Sequence, residues 1–150
     1  MSPHSEVSGN EMYNAAMQNT PTVMVVDDYD DVRVILKRWL QEGGYHVIEA
    51  TGGREAVEMA ERERPELILM DLALPEIDGF AAAIRIRSHP DLMNVPIIAI
   101  SAYGELGIDA QLKIDPASVG FNAYLPKPFV PEKLLSLVAQ YLPKSGGTDG

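Results

Sequence analysis

Apolar and polar positions along this chain follow two periods, and the switches between them lay out an architecture. Residues 22–26 are a β-branched apolar run. From 30 to 41 the apolar residues Val32, Ile35, Leu36, Trp39 and Leu40 recur at helical spacing, and Gly43-Gly44 stops the helix. Residues 46–50 alternate only partly, which suits an edge strand. A second helix is predicted over 53–64, with Ala56, Val57, Met59 and Ala60 on its apolar face and Pro65 behind it. Strand 66–70, helix 79–88, strand 95–100 and strand 123–125 follow, then a helix from about 131 to 141.

Strands that alternate with helices imply right-handed βαβ units and a parallel sheet covered on both faces, an α/β doubly wound fold. The nearly unbroken apolar runs of the first, third and fourth strands fit burial on both sides. Residues 1–20 are rich in Ser, Asn and Met without a sustained period and read as a flexible N-terminal extension, with a weak helix possible over 11–18. The tail 143–150, glycine-rich after Pro143, reads as mobile too. One domain over 21–142 is expected.

The bulk numbers narrow the function. A chain of 150 residues suits one domain, which buries roughly two-thirds of the surface its unfolded form exposes. The net charge of −10, from 22 acidic against 12 basic residues, argues against a nucleic-acid-binding face. There is no cysteine, so disulfides and thiolate chemistry are excluded. His4, His46 and His89 lack zinc-ligand spacing. No apolar run is long enough for a membrane span, and the N-terminus lacks the basic-then-apolar pattern of a secretory signal. The cytoplasm is the expected compartment.

The chemistry lies where the apolar runs end. Asp27 and Asp28 close the first, Asp71 the third, Ser101 the fourth, and Lys127 follows the last. Open parallel sheets bind ligands outside the carboxyl ends of their strands, at the point where strand order reverses. Two adjacent acids alone are more often helix N-terminal residues favoured by the macrodipole. A third carboxylate from a neighbouring strand changes that balance, because three oxygen ligands with solvent access suit Mg²⁺. Lys127 could merely offset these acids and Ser101 could merely cap a loop. Beside a divalent cation, however, both can bind the oxygens of a phosphoryl group carried by Asp71 as an acyl phosphate. Phosphoryl transfer asks mainly for positioning and charge neutralisation.

These residues resemble the receiver domain of two-component response regulators. The likeness is carried by Val25-Val26-Asp27-Asp28, by Met70-Asp71-Leu72-Ala73-Leu74-Pro75 with Asp78-Gly79, by Pro96 through Ser101-Ala102, and by Gly120 through Tyr124 to Lys127-Pro128-Phe129. It spans about residues 21–142. The resemblance implies a flavodoxin-like five-stranded parallel sheet in the order 2-1-3-4-5, and Asp71 as the residue phosphorylated by a histidine kinase or histidine phosphotransfer protein. Asp28 would ligate Mg²⁺ or Mn²⁺ directly and Asp27 through water, with Asp71 and the Ala73 backbone carbonyl completing the protein ligands. Lys127 would contact the phosphoryl group, with Ser101 and Ala102 at the switch position and Tyr124 turning inward after Ser101 moves. The Lys127-Pro128 bond would be cis. Such a domain is not an enzyme beyond its own phosphorylation and dephosphorylation. It acts through an unidentified downstream protein, or passes the phosphoryl group onward in a relay, and after residue 142 no output domain is expected.

Some positions read otherwise. Trp39 is expected in the core, Gly79 to serve loop geometry, and Arg85 and Arg87 to be solvated without a role. Ser101 to Lys127 is longer than the resemblance implies, and Gly104, Gly107, Pro116 and Gly120 fall within or at the end of that stretch. Asp115-Pro116 looks like an N-cap followed by proline at the first helical position. A partly irregular loop with a displaced or shortened fourth helix is therefore predicted over 103–119. A phosphatase with a strand-end aspartate nucleophile needs a second aspartate two positions on, where this chain has Ala73. A flavin-binding module would place its phosphate against Asp27 and Asp28, which repel it.

Overall fold

β1 (Thr22–Val26), β2 (His46–Ala50), β3 (Leu67–Asp71), β4 (Ile97–Ser101) and β5 (Ala123–Pro126) form one parallel sheet in the order β2-β1-β3-β4-β5. This is the flavodoxin-like order the resemblance implies. The computed structural model describes residues 20–74, 77–101 and 120–142. The expected extension over 1–19, the tail 143–150 and the irregular stretch predicted over 103–119 lie outside the described residues, as does Pro75.

Successive side chains of a strand point to opposite faces, so each buried strand feeds two cores. Met24, Val26, Ile68, Met70, Ile97 and Ala99 face α2 (Gly53–Glu63) and α3 (Gly79–Arg87). Val23, Val25, Leu67, Leu69, Ile98 and Ile100 face α1 (Asp30–Glu42) and α4 (Pro131–Tyr141). β3 and β4 are buried at every position, as their unbroken apolar runs require. β2 lies at an edge of the sheet.

Two strand boundaries differ from expectation in the direction that matters. β3 and β4 start later and run one residue further, so Asp71 and Ser101 are themselves the last strand residues. The pairing of Asp71 with Ile100 and the Leu72 N–H donated to the Ile100 carbonyl (3.0 Å) extend the ladder. A 3₁₀ turn at Pro90–Leu92 was not foreseen.

The core stripe of α1 is narrower than its spacing suggests. Leu36 and Leu40 are buried, whereas Ile35 is 46% exposed. Trp39, expected in the core, is half-buried and meets Phe129 edge-on at 6.1 Å. Val32, Trp39 and Phe129 pack against the rim of the core on this face of the sheet.

Arg87 overturns the expectation of a solvated side chain. Its Nε and Nη2 donate to the Gly120 carbonyl (2.9 and 2.7 Å), Nη1 to the Met93 and Val95 carbonyls (3.0 and 2.5 Å), and Nη2 also to Asn122 Oδ1 (2.7 Å). All five N–H groups are used. Burial holds the guanidinium below its ordinary pKa. Asn122 in turn accepts from the Ile97 N–H (2.8 Å). Arg87 thus ties the end of α3 to the starts of β4 and β5, and Gly120, at φ +99°, makes the turn where they meet.

Replacing Arg87 by Ala leaves partly buried carbonyls without donors. Urea unfolding is expected to show a loss of about 2–4 kcal/mol, only partly recovered by Arg87→Lys, because an ammonium cannot span four acceptors. A second prediction concerns pH. The Thr51 N–H and then its hydroxyl (2.7 and 2.9 Å) hold the Glu55 carboxyl below its ordinary pKa. A lowered folded-state value stabilises above the unfolded value and is lost as pH falls through the folded one. Glu55→Gln should therefore cost under about 1 kcal/mol at pH 7, the group being exposed. The difference from wild type should shrink in thermal melts as the pH falls through the folded-state value, which lies below the ordinary Glu value.

Candidate functional site

The strand order reverses between β1 and β3, and both strands end there in carboxylates. Asp27 is 1% exposed and almost fully fixed. Its N–H donates to the Ala50 carbonyl (3.2 Å), its own carbonyl accepts from Arg33 Nη1 (2.8 Å), and its Oδ1 accepts from the Tyr29 N–H (2.9 Å). Oδ2 alone is left buried with no hydrogen-bond partner among the described residues. Asp28, the next residue, is exposed. Asp71 is 3% exposed, and its Oδ1 accepts from the Ala73 N–H (3.1 Å).

One oxygen from each of Asp27, Asp28 and Asp71 lies within 4.8 Å of the others. Lys127 Nζ stands 3.6 Å from Asp27 Oδ2 and 3.9 Å from Asp71 Oδ2, ion-pair distances too long for hydrogen bonds. A buried carboxylate oxygen without a donor is costly. A hard divalent cation satisfies such an oxygen, and the exposed Asp28 leaves room for retained water. The residues present fit that group.

The other expected residues lie around this cluster. Ser101 ends β4 fully buried, and its carbonyl accepts from the Lys127 N–H (2.8 Å). Tyr124, on β5, packs against the core beside α2 and α3, with its hydroxyl buried and unpartnered among the described residues. The Lys127-Pro128 bond is cis. Ala102 lies outside the described residues. Past Lys127, Val32, Ile35, Leu36, Trp39, Pro128 and Phe129 line an apolar cavity of about 290 Å³.

Arg33 was not singled out from the sequence. Its guanidinium also bonds Glu49 Oε1 (Nε, 3.2 Å) and Asp30 Oδ1. Burial alone would lower its pKa, but the hydrogen bonds and charges of Asp30 and Glu49 outweigh burial and raise it. The available signal was the polar series Asp30, Arg33, Lys37 at helical spacing, one face of α1 turned toward the edge strand that carries Glu49.

The chain belongs to the response regulator receiver domain family, whose description matches residues 23–139. It is 41% identical over 120 residues to a 14.6 kDa protein from the sodA1 3′ region of Leptolyngbya boryana, covering 79% of this chain and 88% of that protein. Other curated relatives, 33% identical over 126 residues, are transcriptional regulatory proteins of Staphylococcus aureus, of which this chain spans about half (49%). Among solved structures, the Vibrio cholerae chemotaxis protein CheY4 superposes with a TM-score of 0.74 at 30% identity, covering 82% of this chain and 99% of that one. The receiver domain of the Pseudomonas aeruginosa sensor histidine kinase PA1611, which holds a magnesium ion in its active-site cleft, gives 0.73 at 32%, covering 81% and 97%. Receiver domains are signalling modules, phosphorylated on an aspartate.

Gly79 sets how closely α3 approaches the acid at the end of β3. A Cβ placed there would lie 2.5 Å from the Asp71 carbonyl oxygen and 2.9 Å from Leu72 Cα, both backbone. The Gly79 N–H also donates to the Leu72 carbonyl (3.2 Å). Gly79→Ala must therefore push the end of β3 away from α3. The expected loss is about 1–3 kcal/mol in denaturant unfolding, with weakened divalent-cation binding in a calorimetric titration.

Proposed function

We propose that this chain is a single-domain response regulator that accepts a phosphoryl group on Asp71, from a histidine kinase or histidine phosphotransfer protein, in the cytoplasm. The observation that carries the reading is the triad of carboxylate oxygens within 4.8 Å, together with Asp27 Oδ2, buried without a hydrogen-bond partner among the described residues and 3.6 Å from an ammonium. Asp71 is the nucleophile because of its place in the sheet. β3 lies between β1, which supplies Asp27 and Asp28, and β4, which supplies Ser101. A group added to Asp71 has acids on one side, with Ser101 and Lys127 on the other.

Asp28 and Asp71 would hold Mg²⁺ or Mn²⁺ directly and Asp27 through water, with the Ala73 carbonyl as a further ligand. When bound, the ion offsets charge on the phosphoryl oxygens. A carboxylate oxygen of Asp71 forms a bond to phosphorus as the phosphorus–nitrogen bond of the donor phosphohistidine breaks. The imidazole nitrogen leaves with the electron pair and takes up a proton. Lys127 neutralises the transferred group, and the Ser101 hydroxyl turns toward it, with Tyr124 following. The domain catalyses only this step and its own dephosphorylation, in which water attacks phosphorus, the Asp71 carboxylate leaves and inorganic phosphate is released. The apolar cavity beside Lys127 suits contact with the phosphodonor protein, which must bring its histidine to this rim. Output is protein–protein contact through a shifted two-state equilibrium. No described helix is long and apolar enough to cross a membrane.

Incubation with Mg²⁺ and a small acyl phosphate or phosphoramidate, followed by intact-mass measurement, tests the proposal. One added phosphoryl group is expected, absent with a chelator and absent in Asp71→Asn. An adduct that persists in Asp71→Asn, or no adduct with any donor, overturns it.

A further inference from the structure

We infer that Arg33 is a positioning residue for the cation-binding carboxylate Asp27, acting through the main chain at the end of β1. The inference rests on the function proposed above. Four of the polar groups of Asp27 can be followed atom by atom. The N–H is tied to β2 through the Ala50 carbonyl, and Oδ1 is tied to the Tyr29 N–H. The carbonyl is tied to Arg33 Nη1 at 2.8 Å. What remains, Oδ2, is buried without a hydrogen-bond partner among the described residues, 3.6 Å from the Lys127 ammonium that also faces Asp71. Among the described residues, Arg33 supplies the one hydrogen bond to Asp27 that comes from a side chain outside the Asp27–Tyr29 turn and the sheet ladder; Lys127 adds an ion pair at 3.6 Å. Without it, the peptide between Asp27 and Asp28 loses the hydrogen bond that its carbonyl makes to α1, and the two carboxylates that flank it are held less firmly.

The guanidinium is itself over-determined. Its side chain is 12% exposed, Nε bonds Glu49 on the edge strand, and Nη2 bonds Asp30 in the first turn of α1. Lys37 Nζ closes the group at 3.2 Å from Glu49 Oε2. Two cations, Arg33 and Lys37, thus face two anions, Asp30 and Glu49. The group is formally neutral and adds little net field at the cluster, so its influence is geometric. A planar fork with donors on three edges reaches a carbonyl and two carboxylates at once; an ammonium does not. Residues that orient a metal ligand from behind typically affect metal affinity strongly.

The test uses the full chain as wild type, Arg33→Ala, Arg33→Lys and, as a control, Arg64→Ala, whose ion pair with Asp91 is exposed. Three quantities are measured: the Kd for Mg²⁺ by calorimetry, the phosphorylation rate by a small acyl phosphate at saturating Mg²⁺, and Tm in chelator. Both Arg33 variants are expected to raise the Kd about 10-fold or more, while the rate at saturation stays within about twofold. Arg64→Ala should leave the Kd unchanged. A Mg²⁺ Kd unmoved in Arg33→Ala while Tm falls means a merely structural role and overturns the inference. Full recovery of affinity in Arg33→Lys means that charge acts and the fork does not, which also overturns it. Should Arg33→Ala fail to fold, Arg33→Lys, which keeps the stem and charge, decides alone. A wild type that binds no Mg²⁺ sinks the proposed function, a result distinct from one in which wild type binds and the variants bind equally.

Discussion

Three carboxylates held within 4.8 Å of one another are the constraint around which the rest of the molecule is arranged. Like charges at this separation repel by about 1–4 kcal/mol per pair, depending on the effective dielectric. Nothing in the cluster itself offsets that. Lys127 brings one formal positive charge against three negative ones, which leaves two, the charge of a divalent cation. The geometry therefore asks for an ion of a particular charge as well as a particular hardness. The apo fold must meanwhile hold its acids together against their own repulsion, and it does so with main-chain bonds. Asp27 and Asp71 each have Oδ1 engaged by a backbone N–H two residues on.

That arrangement is affordable because the sheet beneath is insulated from it. β1, β3 and β4 are buried almost throughout and lock with their neighbours in parallel register. Their cores on the two faces are fed by alternate residues of the same strands. The ends of the strands cannot move apart without disturbing both cores. Gly79 adds to this by letting α3 meet the Asp71 carbonyl at a distance no other residue permits. The acids thus stand on a frame whose stability comes from elsewhere.

The frame and the rim were legible in the sequence because they depend on period and on strand ends. Apolar runs without alternation imply double burial, and a polar residue closing such a run is placed at the rim whatever its neighbours are. The residues that escaped are those whose role depends on a partner far along the chain. Arg87 looked solvated because its helix is of mixed polarity, yet its acceptors are carbonyls at 93, 95 and 120 and the Asn122 side chain. Arg33 needs Glu49 and the Asp27 carbonyl, neither of which is visible in the pattern of its own helix. Trp39 shares the spacing of Leu36 and Leu40 and does pack against the core, but it is only half-buried, at the margin beside Phe129. Periodicity identifies a face of a helix; it does not say how wide a strip of that face the sheet covers.

The Arg87 clamp sits at the end of the sheet away from the acids, and three of its four acceptors are main-chain carbonyls. A carbonyl is supplied by every residue type. The exposed side chain at 93 can therefore drift through substitution without loosening the clamp, whereas a change at Arg87 itself has no such latitude. One end of this sheet thus depends on the identity of nearly every residue that faces its ligand. The other is held in part by a side chain, Arg87, that mostly reads the path of the chain and is largely indifferent to its spelling.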